Sequence, residues 1–191
     1  YKKSNPCDPD NYRPITLLDT MYKIYTRLLA NRLCDAVEPY LRNTQFGFRK
    51  YRSTTHAIHV VRRTIEGFFH KSEPAYDLNL LLLDWSKAFD RVDTEALTDA
   101  LLAFGIRGTF LEAIKSTYNK SEFRVLGQRD DPASSLYTQE VGIRQGCPLS
   151  PLLFIIMLTW LMAGVDLTLT ARGHVVDPLL PSDTIFYADD T

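Results

Sequence analysis

The sequence predicts an α+β fold, and three observations carry that expectation. Apolar residues recur at three-to-four spacing through several segments, the pattern of helices with one buried face. Two shorter runs, Leu78 to Leu83 and Thr184 to Ala188, have strand length and lead directly into carboxylates. Phe123 to Leu126 and Tyr137 to Val141 flank the polar stretch Gln128 to Ser135, as the two arms of a hairpin would. At 191 residues the chain suits one domain, or one domain with a satellite lobe. Its 45% hydrophobic and 24% charged content excludes collagen-like, low-complexity and broadly disordered classes.

Taken in order, Lys2 to Pro14 is rich in Pro, Asp and Asn and reads as extended chain and turns. A helix capped near Asp19 follows, with Met21, Tyr25, Leu28, Leu29, Leu33, Ala36 and Val37 as its buried face and Pro39 as its stop. A second helix starts at Ser53 and buries Ala57, Val61, Ile65 and Phe68, with Arg62 and Arg63 turned partly to solvent. Leu78 to Leu83 predicts a strand buried on both faces that delivers Asp84 at its tip. Asp93 caps a helix through Leu97, Leu101 and Phe104, closed by Gly105, and another helix runs from about Thr109 to Tyr118. After the hairpin, Ser150 as N-cap and Pro151 at the first helical position open an apolar helix with Phe154, Met157, Leu158 and Leu161.

The longest apolar run, Leu152 to Val165, has 14 residues, short of the roughly 20 that cross a bilayer, so a core helix and no membrane are expected. The first residues are polar, which implies no export. Cys7, Cys34 and Cys147 are odd in number and lack C-x-x-C spacing, which suits a reducing compartment. His56, His59, His70 and His174 form no metal-ligand spacing with them and read as structural or surface residues. The net charge of −1 hides an asymmetry: residues 1–71 carry 13 Lys and Arg against 6 Asp and Glu, and residues 72–191 carry 9 against 17. A basic lobe beside an acidic one suits a grip on polyanions next to a site that gathers metal ions.

The chemistry is concentrated where apolar segments end in acids, at Asp84 and at Asp189-Asp190. Adjacent carboxylates are costly to bury unless cations neutralise them, and Mg²⁺ is commonly held by one or two carboxylates plus substrate phosphates. Two such ions would stabilise the attacking and leaving oxygens of an in-line phosphoryl displacement.

Five blocks stand in order along the chain: Asn11-Tyr12-Arg13-Pro14-Ile15, Gln45-Phe46-Gly47-Phe48-Arg49, Asp84-Trp85-Ser86-Lys87-Ala88-Phe89-Asp90, Gly142-Ile143-Arg144-Gln145-Gly146-Cys147-Pro148-Leu149-Ser150-Pro151, and Tyr187-Ala188-Asp189-Asp190. On these blocks the chain resembles the reverse transcriptases of non-LTR (LINE-like) retrotransposons. The resemblance implies the fingers and palm of a right-hand polymerase, with an antiparallel palm sheet backed by helices. Residues 1–75 would be mainly fingers and 76–191 mainly palm, with some fingers elements interleaved. It also implies RNA-directed DNA synthesis with RNA template, DNA primer and dNTPs as partners.

Carried over by position, the resemblance makes Asp84, Asp189 and Asp190 the catalytic carboxylates that hold two Mg²⁺ ions, with Mn²⁺ as an alternative. Arg13, Phe89, Gln145, Gly146 and Lys3 would contact the dNTP, Gly142 and Gly146 permitting close backbone approach. At Phe89 the ring leaves no room for a 2′-hydroxyl, so the product should be DNA. Gln45, Gly47, Phe48 and Arg49 would line the template, with Lys50 and Arg52 extending the basic stretch. Asp90 is expected to cap or hydrogen-bond locally. Because the sequence stops one residue after Asp190, the return strand of the catalytic hairpin, the thumb and an endonuclease module are expected to be missing, and activity is expected of a longer parent. Two other readings stay open: a non-catalytic nucleic-acid-binding remnant of a decayed retroelement, and an RNA-dependent RNA polymerase, against which Phe89, Arg144-Gln145-Gly146 and Ala188 speak.

Overall fold

The structure is a computed structural model that describes residues 12, 15–69, 80–119, 121–126, 133–173 and 184–191. Helix α1 spans Thr20–Val37, where Asp19 caps the N-terminus by accepting from the Met21 amide at 2.7 Å. Its buried face is Thr26, Leu29, Ala30, Leu33 and Val37, rotated from the expected one: Met21, Tyr25 and Leu28 are exposed. Hydropathy ranked Thr26 below its neighbours, yet its hydroxyl donates to the Tyr22 carbonyl at 2.9 Å, which removes the cost of burying it. A 3₁₀ turn with Pro39 at its start, Glu38–Tyr40, follows α1.

Helix α2, Thr54–Phe69, begins where predicted but buries only Ala57 fully, and Arg62 and Arg63 both pair with Glu66 on its outer side. Helix α3, Thr94–Ala103, is capped by the Asp93 carboxylate, which accepts from the Glu95 and Ala96 amides at 2.9 and 2.8 Å; Gly105 ends it at φ +79°. Helix α4 is Gly108–Ser116. The hairpin survives as β1 (Glu122–Phe123) and β2 (Tyr137–Thr138), antiparallel with Phe123 opposite Tyr137, while most of the polar turn lies outside the described residues.

Helix α5, Ser150–Ala171, is the central element and packs chiefly on α3 and more lightly on α1. Leu149 rather than Ser150 is its cap, because the Ser150 hydroxyl is spent on the Tyr118 hydroxyl at 3.1 Å. Its first half, Ser150 to Thr159, is mostly buried and forms the core with Leu29, Leu33, Leu97 and Leu101. The helix runs past the predicted apolar stretch to Ala171, so by length and composition alone it is sufficient to cross a membrane. Burial of Tyr22, carried by α1 against this core, pushes its hydroxyl up to about 12, and Arg144 lies over the Tyr22 ring at 5.1 Å. Burial raises Tyr118 as well.

The expected strand before Asp84 is not a buried one. Leu78 and Asn79 lie outside the described residues; Leu80, Leu81, Leu82 and Leu83 are 58, 77, 87 and 45% exposed, and among the described residues only Leu83 of these is paired, with Thr191. A strand buried on both faces needs neighbours along both edges and layers above and below; a single pairing supplies neither. Among the described residues, strand pairing is thus limited to the antiparallel β1–β2 pair and three isolated bridges, one of them parallel, and the fold is mixed helix with a small antiparallel sheet.

Candidate active site

Three bridges fix the Asp-bearing segment. Phe186 pairs in parallel with Gln45: the Phe46 amide donates to Phe186 at 2.8 Å and the Phe186 amide donates to Thr44 at 2.9 Å. The chain then reverses in a two-residue turn, closed by reciprocal bonds between Tyr187 and Asp190 at 2.9 and 3.0 Å. Ala188, the first central residue, has φ +56°, as a primed hairpin turn requires. Beyond the turn, Leu83 and Thr191 exchange two backbone bonds, at 2.8 and 3.1 Å, and the Trp85 indole donates to the Thr191 hydroxyl at 3.0 Å. The return strand expected to be missing therefore begins within the chain, at Asp190 and Thr191.

Because Leu83 and Thr191 are the hydrogen-bonded pair, the next pair, Asp84 and Asp190, is the non-hydrogen-bonded kind, whose side chains share a face and approach closely. The bridge from Asp84 goes to Asp190, with Asp189 at the turn tip. Asp84 and Asp190 are exposed and Asp189 is half-buried, and none of the three enters an ion pair among the described residues. Also among the described residues, no three His, Cys, Asp or Glu side chains converge as a closed metal cage. The donor chemistry nonetheless suits Mg²⁺, which keeps several waters and takes one or two carboxylate oxygens beside substrate phosphates.

The block expected along the template divides. Arg49 is 8% exposed and its guanidinium turns inward, to the Glu38 carboxylate at 2.6 and 3.0 Å and to the carbonyls of Arg42 and Gln45 at 2.7 and 3.3 Å. Gln45 and Gly47 are buried against the Tyr187–Asp190 turn. Phe48, at φ +58° and half-exposed, and Lys50, exposed beside Asp35, face outward. Arg52 caps the Phe46 ring at 5.5 Å and donates to the Asn43 carbonyl.

Of the residues expected to contact the dNTP, Phe89, Gln145 and Gly146 are described. Phe89 lies in the 3₁₀ turn Phe89–Arg91, stacks on Phe154 of α5 with centroids 4.9 Å apart, and meets the edge of Phe48 at 6.0 Å. The Gln145 amide donates to both oxygens of Asp90, so Asp90 bonds 55 residues away and not only locally. Gly142 (φ +92°) and Gly146 (φ +106°) both permit close approach, but by the protein itself: a Cβ would lie 2.8 Å from the Asp90 carbonyl oxygen at Gly142 and 2.9 Å from that of Thr16 at Gly146. Phe154 and Thr16 carried no signal in the sequence beyond apolar periodicity and chain position, since their roles depend on contacts across the fold. Arg13 and Lys3 lie outside the described residues.

Comparison with known proteins bears on the whole chain. The family model described as "Reverse transcriptase (RNA-dependent DNA polymerase)" matches residues 1–191. A Drosophila melanogaster protein described as "Probable RNA-directed DNA polymerase from transposon BS" is 31% identical over 187 residues, covering 95% of this chain and 19% of the relative. The RNA-directed DNA polymerase from mobile element jockey of Drosophila funebris is 31% identical over 188 residues, 97% of this chain and 19% of that protein. The Pol polyprotein from the type-1 retrotransposable element R2 of Popillia japonica is 29% identical over 187 residues, 96% of this chain and 25% of the relative. The chain thus spans about a fifth to a quarter of the length of these relatives. With the family model matched from end to end, and transposon and mobile-element RNA-directed DNA polymerases among its relatives, the chain belongs to the reverse transcriptase family.

Proposed function

We infer that this chain supplies the catalytic carboxylates of an RNA-directed DNA polymerase, which adds dNMP to a primer 3′-hydroxyl on an RNA template. The observation that carries the reading is the antiparallel bridge between Asp84 and Asp190, which sets two carboxylates side by side with a third, Asp189, next in sequence at the turn tip. Two Mg²⁺ ions, or Mn²⁺, held by these three residues would supply charge stabilisation at the attacking and leaving oxygens.

The chain's own groups do the rest by position. An exposed turn lets the carboxylates meet a primer end and a triphosphate from solvent. Phe89, its far face held by Phe154, presents a fixed ring edge where the incoming sugar would lie, and a rigid apolar wall offers a 2′-hydroxyl neither room nor partner. Gln145, oriented by Asp90, is assigned to the sugar and phosphates alongside Gly146, with Arg13 and Lys3 toward the triphosphate. Phe48 and Lys50 form the outward part of the template-side surface, for stacking and backbone attraction. Residues 1–75 are assigned mainly to fingers and 76–191 mainly to palm.

The test is extension of an RNA-templated DNA primer with dNTPs and Mg²⁺, using protein expressed from the complete reading frame and the 191-residue chain in parallel. Extension by the former that Asp84→Asn abolishes is the expected result. Template binding without extension would favour a non-catalytic remnant, and preference for rNTPs would overturn the Phe89 assignment.

A further inference from the structure

Gln45 is 2% exposed, and its side-chain amide bonds both the adjacent Gly47 and the Asp-bearing turn. Its Oε1 accepts from the Gly47 amide at 2.8 Å and from the Ala188 amide at 3.2 Å, while its Nε2 donates to the Ala188 carbonyl at 3.4 Å. Ala188 lies at the turn where φ is +56°, a conformation that L residues seldom adopt and that persists only when its surroundings over-determine it. Its neighbours Tyr187 and Asp190 are bonded to each other, so both backbone groups of Ala188 look for partners outside the turn, and one buried amide answers both. Gly47 makes the approach feasible: a Cβ there would stand 2.1 Å from the Ala188 nitrogen and 2.7 Å from its Cα.

Resting on the polymerase reading above, we propose that Gln45 is a positioning residue: its amide, seated through the side-chain-free Gly47, locks the peptide groups of Ala188 and thereby fixes where the carboxylates of Asp189 and Asp190 stand. This differs from a template-lining role. A side chain this deeply buried, with its oxygen and nitrogen both bonded within the protein, does not face a nucleic-acid strand. The parallel bridge from Gln45 to Phe186 anchors the strand entering the turn, and the Gln45 amide extends that anchor two residues further, where the backbone turns away and a regular ladder would end.

The experiment uses protein from the complete reading frame with Gln45→Met, which conserves volume and removes both bonding atoms, and Gly47→Ala, which wedges the turn from the other side. Urea midpoints establish that each variant is folded, and Gln45→Glu, which keeps the acceptor oxygens, is the conservative fallback should Gln45→Met not fold. The expected result is a fall in kcat of about 10- to 100-fold, with the dNTP KM and template Kd within about threefold of wild type. Mn²⁺ affinity, read by electron paramagnetic resonance independently of turnover, should weaken about fivefold or more, because the ligands no longer stand in register. Weakened template binding at unchanged kcat would overturn the proposal in favour of a template contact, and unchanged kcat with unchanged Mn²⁺ affinity would reduce Gln45 to packing. Asp84→Asn measured alongside separates the two levels: if it extends primers normally the polymerase reading itself fails, whereas if it is inactive and Gln45→Met is normal only the positioning role fails.

Discussion

The Gln145 amide nitrogen reaches both carboxylate oxygens of Asp90, at 3.1 and 3.2 Å, and so joins the block after Asp84 to the loop before α5. Gly142 lets this loop close on the turn, its amide donating to Val92 at 2.8 Å while Ile143 donates to Phe89 at 2.8 Å. Asp90 is thereby placed as the residue that orients Gln145.

Asp90→Ala should free the Gln145 side chain while leaving the backbone bonds in place. A hydrogen bond to a charged group contributes roughly 1.5–3 kcal/mol, so the dNTP KM should rise about tenfold or more with a smaller change in kcat. Asp90→Asn, which retains an acceptor, should fall between. Steady-state kinetics with a single dNTP checks this, and a kcat collapse with altered Mg²⁺ dependence would instead make Asp90 a metal ligand.

Phe89→Val should admit ribonucleotides. The ring is held by Phe154 on one face and by the edge of Phe48, so its position is not negotiable, and removing it opens space directly. Incorporation of rNTP relative to dNTP should rise about 10- to 100-fold, at a stability cost of about 1–3 kcal/mol for the lost packing. Competition assays with matched rNTP and dNTP, and urea melts, read the two effects separately.

Glycine substitutions should divide by environment. Gly142→Ala should destabilise by about 1–3 kcal/mol, because φ is +92° and the new Cβ would lie 2.8 Å from the Asp90 carbonyl oxygen. Gly164→Ala, inside α5 with nothing within 4 Å, should stabilise by roughly 0.5–1 kcal/mol. Denaturant midpoints of the two variants should therefore move in opposite directions.

What the sequence made legible was local. Asp19 and Asp93 announced their helices because a cap is a bond between neighbours, and Gly105 ended α3 for the same reason. What it hid depended on partners far along the chain. The buried face of α1 turned on Thr26 bonding its own backbone, the burial expected of Leu78 to Leu83 needed flanking strands, and Ser150 spends its hydroxyl on Tyr118 while Leu149 stands at the cap. At the site, the sequence singled out the acids at both segment ends, but which of them bridges Asp84 follows from the turn closing at Tyr187 and Asp190. Block order identified Gln45 and Arg49 as special without revealing that both face inward, since a buried polar residue and a ligand-binding one look alike until their partners are seen.

Arg49 and Lys50 turn that ambiguity into a measurement. Nucleic-acid affinity falls with salt in proportion to the phosphates neutralised, so removing a contacting cation lowers the slope of log K against log salt by about 1. Arg49 has its donors committed to Glu38 and to backbone carbonyls, so Arg49→Met should leave that slope unchanged. Its cost should appear in stability instead, at about 1–3 kcal/mol for the carbonyls and the carboxylate left without a donor, reduced because the Glu38 side chain is 38% exposed. Lys50, 69% exposed and only loosely paired with Asp35 at 3.8 Å, should behave oppositely: Lys50→Met should cost little stability and lower the slope by about 1. Filter-binding titrations across a salt series, beside urea melts of the same two variants, distinguish the inward arginine from the outward lysine; a reduced slope in Arg49→Met would restore Arg49 to the template.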